Sequence, residues 1–126
     1  MKGLNELAKE VFRNAKEKGF HETKPNIGEM LMLIVSELSE ALEADRKDNY
    51  VCDSELWQCL NGSPTDEDWI YYFEEGIKDT FEDEIADTFI RLLDLCAHLD
   101  IDIEKHIEAK MKYNSLRKYK HGGKKY

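Results

Sequence analysis

The chain has 126 residues, of which 41% are hydrophobic and 36% charged, and a formal net charge of −9. That length gives one domain with enough apolar residues for a core. The acidic balance argues against general nucleic-acid binding, and an apolar run no longer than residues 30 to 35 is too short for a membrane-spanning helix.

Taken in chain order, the apolar pattern is helical throughout. Leu4, Leu7, Ala8, Val11, Phe12 and Ala15 recur at helical spacing over residues 3 to 18, and Gly19 is a natural stop. This amphipathic start carries no secretory pattern, so the expected location is the cytoplasm. After the loop "HETKPN", Asn26 caps a second helix over about 27 to 46, with Glu29 three residues on as in a capping box. Met30, Leu31, Ile34, Leu38, Ala41 and Leu42 form its expected core stripe. Glu37 lies at the edge of that stripe, Glu40 one step further round, and Glu43 further still.

Residues 47 to 77 are the least regular, with Thr65 as a cap and acids after it in "SPTDEDW". Trp57, Trp69, Tyr71, Tyr72 and Phe73 gather here, as the packing of an inserted subdomain, a base-stacking surface or an oligomer contact. A third long helix spans about 79 to 99, with Phe81, Ile85, Phe89, Leu92, Leu93 and Cys96 on its apolar face and Glu84 and Asp87 at the edge. A last helix starts at the cap Asp102 and runs to about 115, and a basic tail follows. The fold class is therefore all-α, a bundle of four to five helices in one domain, with an insert at about 48 to 77 between the two acid-bearing helices.

Residues 1 to 109 hold 27 acids and 11 bases, and residues 110 to 126 hold seven bases and no acid. Cys52, Cys59 and Cys96 are an odd number, which fits reduced thiols. Zinc at Cys52 and Cys59 lacks further ligands.

The acids raise the question of function. Glu37 with Glu40, and Glu84 with Asp87, are each spaced i, i+3, so each pair shares one side of its helix. If those helices pack antiparallel, four carboxylates converge. Two like charges about 4 Å apart repel by roughly 4 kcal/mol at an effective dielectric near 20. The cluster must be separated, protonated or neutralised by a cation. Oxygen-only ligands favour Mg²⁺ or Mn²⁺. A di-iron bundle would need Glu-x-x-His on two helices, and none of the four histidines follows a glutamate at that spacing. Acids that hold a metal and a water, with bases for outer phosphates, suit hydrolysis of a phosphate bond.

Three stretches carry a family resemblance. "GEMLMLIVSELSEALEADR" resembles the Glu-x-x-Glu motif of the MazG-like nucleotide pyrophosphohydrolases, of the all-α NTP pyrophosphatase type. "EDEIADTFIRLLDLCAHLDIDIEKHI" resembles the family's Glu-x-x-Asp motif, and "KMKYNSLRKYKHGGKKY" its C-terminal substrate-binding segment. The resemblance implies a Mg²⁺-dependent enzyme, dimeric or tetrameric, that converts a nucleoside triphosphate to monophosphate and pyrophosphate. It implies Glu37, Glu40, Glu84 and Asp87 as metal ligands, with Glu40 and Glu37 catalytic. It implies Lys110, Asn114 and Arg117, with Tyr119, Lys120 and His121, as contacts to phosphate or sugar. Lys24 and His21, before the second helix, are further candidates. The gap between Glu40 and Glu84 is longer than usual for the family and holds most of the aromatics. The rival readings are a phosphoribosyl-ATP pyrophosphohydrolase, a non-catalytic nucleotide-binding or regulatory oligomer, and a purely structural helical dimer.

Overall fold

The computed structural model describes residues 3–21, 23–24 and 26–117. Among them the chain forms six helices and no strand: α1 Leu4–Glu17, α2 Ile27–Arg46, α3 Asp53–Asn61, α4 Asp66–Gly76, α5 Phe81–His98 and α6 Ile103–Leu116. The all-α expectation holds. The helix number exceeds the four or five expected because the irregular stretch contains two short helices.

Local chemistry sets the boundaries. The Asn26 side chain accepts from Glu29 N at the start of α2, Thr65 from Asp68 N at the start of α4, and Asp102 from Lys105 N at the start of α6. Each satisfies a backbone donor that has no partner within its helix. Gly19 leaves α1 with φ 84°, and Asp48 and Asp100 follow α2 and α5 with φ 55°. Aspartate tolerates this left-handed region better than most side chains.

The chain groups into two compact units, Met1–Glu22 with Leu93–Tyr126, and Thr23–Leu92. In the first, Asn5 joins the starts of α1 and α6. Its Nδ2 donates to Asp102 Oδ1 at 2.8 Å, and its backbone N to Glu104 Oε2 at 3.1 Å. Ala8, Leu93, Leu95 and Cys96 are buried in this unit.

In the second unit α3 and α4 form a helical hairpin. Cys59 is buried in it and donates to the Trp69 carbonyl at 3.4 Å, while the Trp69 and Phe73 rings stack at 5.2 Å. Cys52 N donates to Gly76 O at 2.9 Å, which closes the hairpin. Phe81 N donates to Asn49 O at 2.9 Å, so the chain leaving α2 meets the start of α5. Further along, Arg91 of α5 reaches back to Glu37 of α2. The two helices therefore run antiparallel.

The stripe expected to be the core of α2 is displaced. Met30, Ile34, Glu37, Ala41 and Ala44 are the buried residues of α2, whereas Leu31, Leu38 and Leu42 are 47–49% exposed. On α5, Phe89 and Leu92 are also exposed, against the expectation that they face a core. The reason is geometric. Helix α2 is apolar around much of its circumference, and its buried side carries the small residues Ala41 and Ala44 while the larger Leu31, Leu38 and Leu42 lie on another side.

Candidate metal centre

Glu37 and Glu84 are buried and Asp87 is half-buried, and ligand-capable oxygens of the three lie within 4.8 Å of one another. The i, i+3 spacing puts Glu84 and Asp87 on one side of α5, and the antiparallel packing brings Glu37 to meet them. Glu84 is only 5% exposed, and its buried Oε2 has no hydrogen-bond partner among the described residues. Its polar neighbours include the carboxyls of Glu40 and Glu37, which satisfy it only when a proton is shared. Glu40 itself is exposed and stands close enough to act on both Glu37 and Glu84.

The electrostatics follow from this crowding. Burial pushes the Glu84 carboxyl up to about 8, with Glu40 and Glu37 beside it and the Asp87 charge adding to the effect. Burial also pushes Asp87 up, joined by the charges of Asp83 and Glu37. Burial works against ionisation of Glu37 too, but the hydrogen bonds with Arg91 and Glu84, together with the Arg91 charge, outweigh it and hold that carboxyl low. Arg91 Nε donates to Glu37 Oε1 at 2.8 Å, with the arginine side chain 42% exposed. Among the described residues, one partly exposed cation thus stands against four carboxyls.

Asp79, Asp83 and Glu84 form a second close acidic group. A helix cap engages Asp83 of this group. Asp83 N donates to Thr80 Oγ1 at 3.3 Å, and Asp83 Oδ2 accepts from Asp79 N at 2.9 Å, a variant of the capping box in which the return bond goes to the residue before the cap. No such backbone role engages the free oxygen of Glu84. The donor set of Glu37, Glu84 and Asp87, all oxygen and carboxylate, suits a hard divalent cation. Glu84 Oε2 is the orphaned atom such an ion would satisfy.

The other expected site residues lie elsewhere. Lys24 is exposed in the loop before α2. His21, a candidate for the nucleotide, has its ring packed in the first unit instead. Its Nε2 lies 3.0 Å from Asp94 Oδ1, and its ring stacks on His98 at 5.6 Å with Phe12 at 4.9 Å. Lys110 and Arg117 flank the Tyr113 ring at 5.1 and 5.4 Å, and Asn114 is exposed beside them on α6. A concavity of about 670 Å³ runs along α6 from Ile103 to Tyr113 and includes Lys110. Every lining residue belongs to that one helix, so it is a helix face rather than an enclosed pocket. Tyr119, Lys120 and His121 lie outside the described residues.

Arg91 was not among the residues expected at the site. Its spacing carried the signal, since Arg91 follows Asp87 by four residues and Glu84 by seven and so shares their side of α5. Comparisons with protein-family models, with curated proteins and with solved structures give no match to this chain.

Proposed function

We propose that the chain is a Mg²⁺-dependent pyrophosphohydrolase that splits a nucleoside triphosphate into the monophosphate and pyrophosphate. The observation that carries this reading is the buried Glu84 carboxyl, whose Oε2 has no hydrogen-bond partner among the described residues, grouped with Glu37 and Asp87 by oxygens within 4.8 Å of one another. The resemblance of the two acid motifs and the basic C-terminal segment to MazG-like pyrophosphohydrolases supports it. Glu37, Glu84 and Asp87, with Glu40 beside them, would hold the ion. When bound, Mg²⁺ supplies charge neutralisation at the phosphoryl oxygens and a more acidic water.

The rest falls to the chain's own groups. The Glu84 carboxyl, kept from solvent, gives up its proton when the ion arrives and so ties metal loading to pH. Glu40, the most exposed of the four acids, orients the attacking water towards the α-phosphorus and accepts its proton. Lys110, Asn114 and Arg117 bind phosphate or sugar in this reading, and Lys24 is a further cation for the nucleotide.

Assembly with a second copy belongs to the same proposal. Leu31, Val35, Leu38 and Leu42 recur at i, i+4, i+7 and i+11 along α2, and each is 46–49% exposed. Covering each would contribute on the order of 1 kcal/mol before the costs of association.

The test is pyrophosphate release from the common ribo- and deoxyribonucleoside triphosphates, with Mg²⁺ and with EDTA. Mg²⁺-dependent release of pyrophosphate and monophosphate in equal amounts is expected. Folded protein that releases none from any of them would sink the reading.

A further inference from the structure

We propose that Arg91 is the resident counter-ion of the acidic centre and its triphosphate-positioning group, pairing with Glu37 until a divalent cation takes that carboxylate and then turning its guanidinium to the phosphates. The inference rests on the pyrophosphohydrolase reading. It adds a residue that neither the motifs nor the charge pattern of the tail supplied.

Three observations carry it. Arg91 holds Glu37 by one atom only, Nε to Oε1 at 2.8 Å. A guanidinium has five N–H donors in a planar fork, and among the described residues no hydrogen bond engages the outer amines of this one. The side chain is 42% exposed while its partner carboxylate is 10% exposed, so a partly solvent-accessible cation is anchored on a nearly buried anion. The position on α5 is also fixed by the acids it serves. With Asp87 one turn away and Glu84 two turns away, Arg91 opposes the charge of both Glu37 and Asp87.

A divalent cation and a guanidinium compete for the negative charge of the same carboxylate. Without the ion, Arg91 is the one cation paired with this group among the described residues, through its 2.8 Å hydrogen bond to Glu37. With the ion bound, Arg91 is repelled from Glu37 and its fork is released. A planar fork that matches two phosphate oxygens at once is the recognition geometry in which arginine surpasses lysine. The exchange also orders the events, because phosphate gains its cation only after the metal is in place.

The experiment uses the full chain with Arg91→Gln and, as a variant that keeps the charge, Arg91→Lys. Mn²⁺ affinity is read by electron paramagnetic resonance without nucleotide, and inorganic tripolyphosphate affinity by calorimetry with saturating Mg²⁺. Loss of one charge-assisted hydrogen bond is worth roughly tenfold in an equilibrium. Arg91→Gln is therefore expected to bind Mn²⁺ about tenfold tighter and tripolyphosphate about tenfold weaker. Arg91→Lys should keep Mn²⁺ affinity near the wild-type value yet still bind tripolyphosphate more weakly. Unchanged Mn²⁺ affinity in Arg91→Gln, or unchanged tripolyphosphate affinity in both variants, overturns the proposal. A wild type that shows the expected Mn²⁺ and tripolyphosphate behaviour but releases no pyrophosphate supports the role of Arg91 and overturns only the hydrolase reading.

Discussion

Replacing Glu84 by Gln should make the metal-free protein more stable, by an amount that depends on pH. The carboxyl has an ordinary value of 4.5 and stands at about 8 in the fold. At pH 7 the folded state therefore holds a proton that the unfolded chain releases. The sign follows from the raised folded value. The contribution of Glu84 is most favourable below the unfolded value and is lost as pH rises through the folded one. At 1.36 kcal/mol per unit, the difference at pH 7 amounts to about 3 kcal/mol. Glutamine keeps the shape, carries no charge and can donate to Glu40 or Glu37, so a gain of roughly 1–3 kcal/mol is expected. In Tm this is roughly 3–10 °C for a chain of this size. The assay is thermal unfolding of both proteins in EDTA at pH 5, 6, 7 and 8. The gap should be small at pH 5 and widen to pH 8. Saturating Mg²⁺ should raise the Tm of wild type at pH 8 and leave that of the variant nearly unchanged. A variant less stable than wild type by the same amount at every pH would refute the reasoning, because Glu84 would then act through packing rather than through its charge.

Glu40→Gln should remove turnover and weaken Mg²⁺ binding while Tm in EDTA stays nearly the same, since Glu40 is exposed; wild-type turnover would take Glu40 out of the mechanism. Leu38→Glu should leave helicity intact but lower the mass seen by sedimentation, because Leu38 is in the middle of the exposed stripe of α2; an unchanged mass would move any subunit contact to another face. Gly76→Ala should cost about 1–3 kcal/mol in urea unfolding, because an added Cβ would collide with Glu55 Cβ and stand 3.0 Å from Cys52 Cβ. Both atoms are Cβ atoms fixed to the backbone, of α3 and of the residue that precedes it, so an unaltered urea midpoint would contradict the hairpin packing. Thr65→Ala should cost about 1 kcal/mol through loss of the bond to Asp68 N, and an equal loss in Thr65→Ser would show that the hydroxyl is not the cause.

The long helices were legible because each has its own punctuation. Asn26, Asp102 and Gly19 fix ends by local hydrogen bonding or backbone freedom, and the expected spans 27–46 and 79–99 fall within two residues of α2 and α5. The hairpin was only half legible. Thr65 announced α4, but α3 has nine residues and no side-chain cap, too little pattern for a period to show. Burial was misread on α2 because periodicity reveals an apolar stripe and not what covers it. Leu31, Leu38 and Leu42 obey the pattern and still face outward.

At the candidate site, the i, i+3 spacing of Glu84 and Asp87 was a local fact, and their meeting with Glu37 needed only an antiparallel pair of helices. The place of His21 was beyond such reasoning, because its partner Asp94 lies 73 residues away. Arg91 was readable in principle from its spacing to the acids of α5. A single arginine among acids is a weaker signal than the segment after residue 109, where seven bases stand with no acid.

The most direct test of the central claim is ³¹P nuclear magnetic resonance of a nucleoside triphosphate mixture incubated with wild type and with Asp87→Asn in Mg²⁺. The account predicts that wild type converts at least one triphosphate to monophosphate and pyrophosphate with no diphosphate or free phosphate. It predicts that folded Asp87→Asn converts it at least a hundredfold more slowly, as expected when a metal-bound catalytic step is impaired. Diphosphate and free phosphate as products, or equal rates from the two proteins, would contradict it.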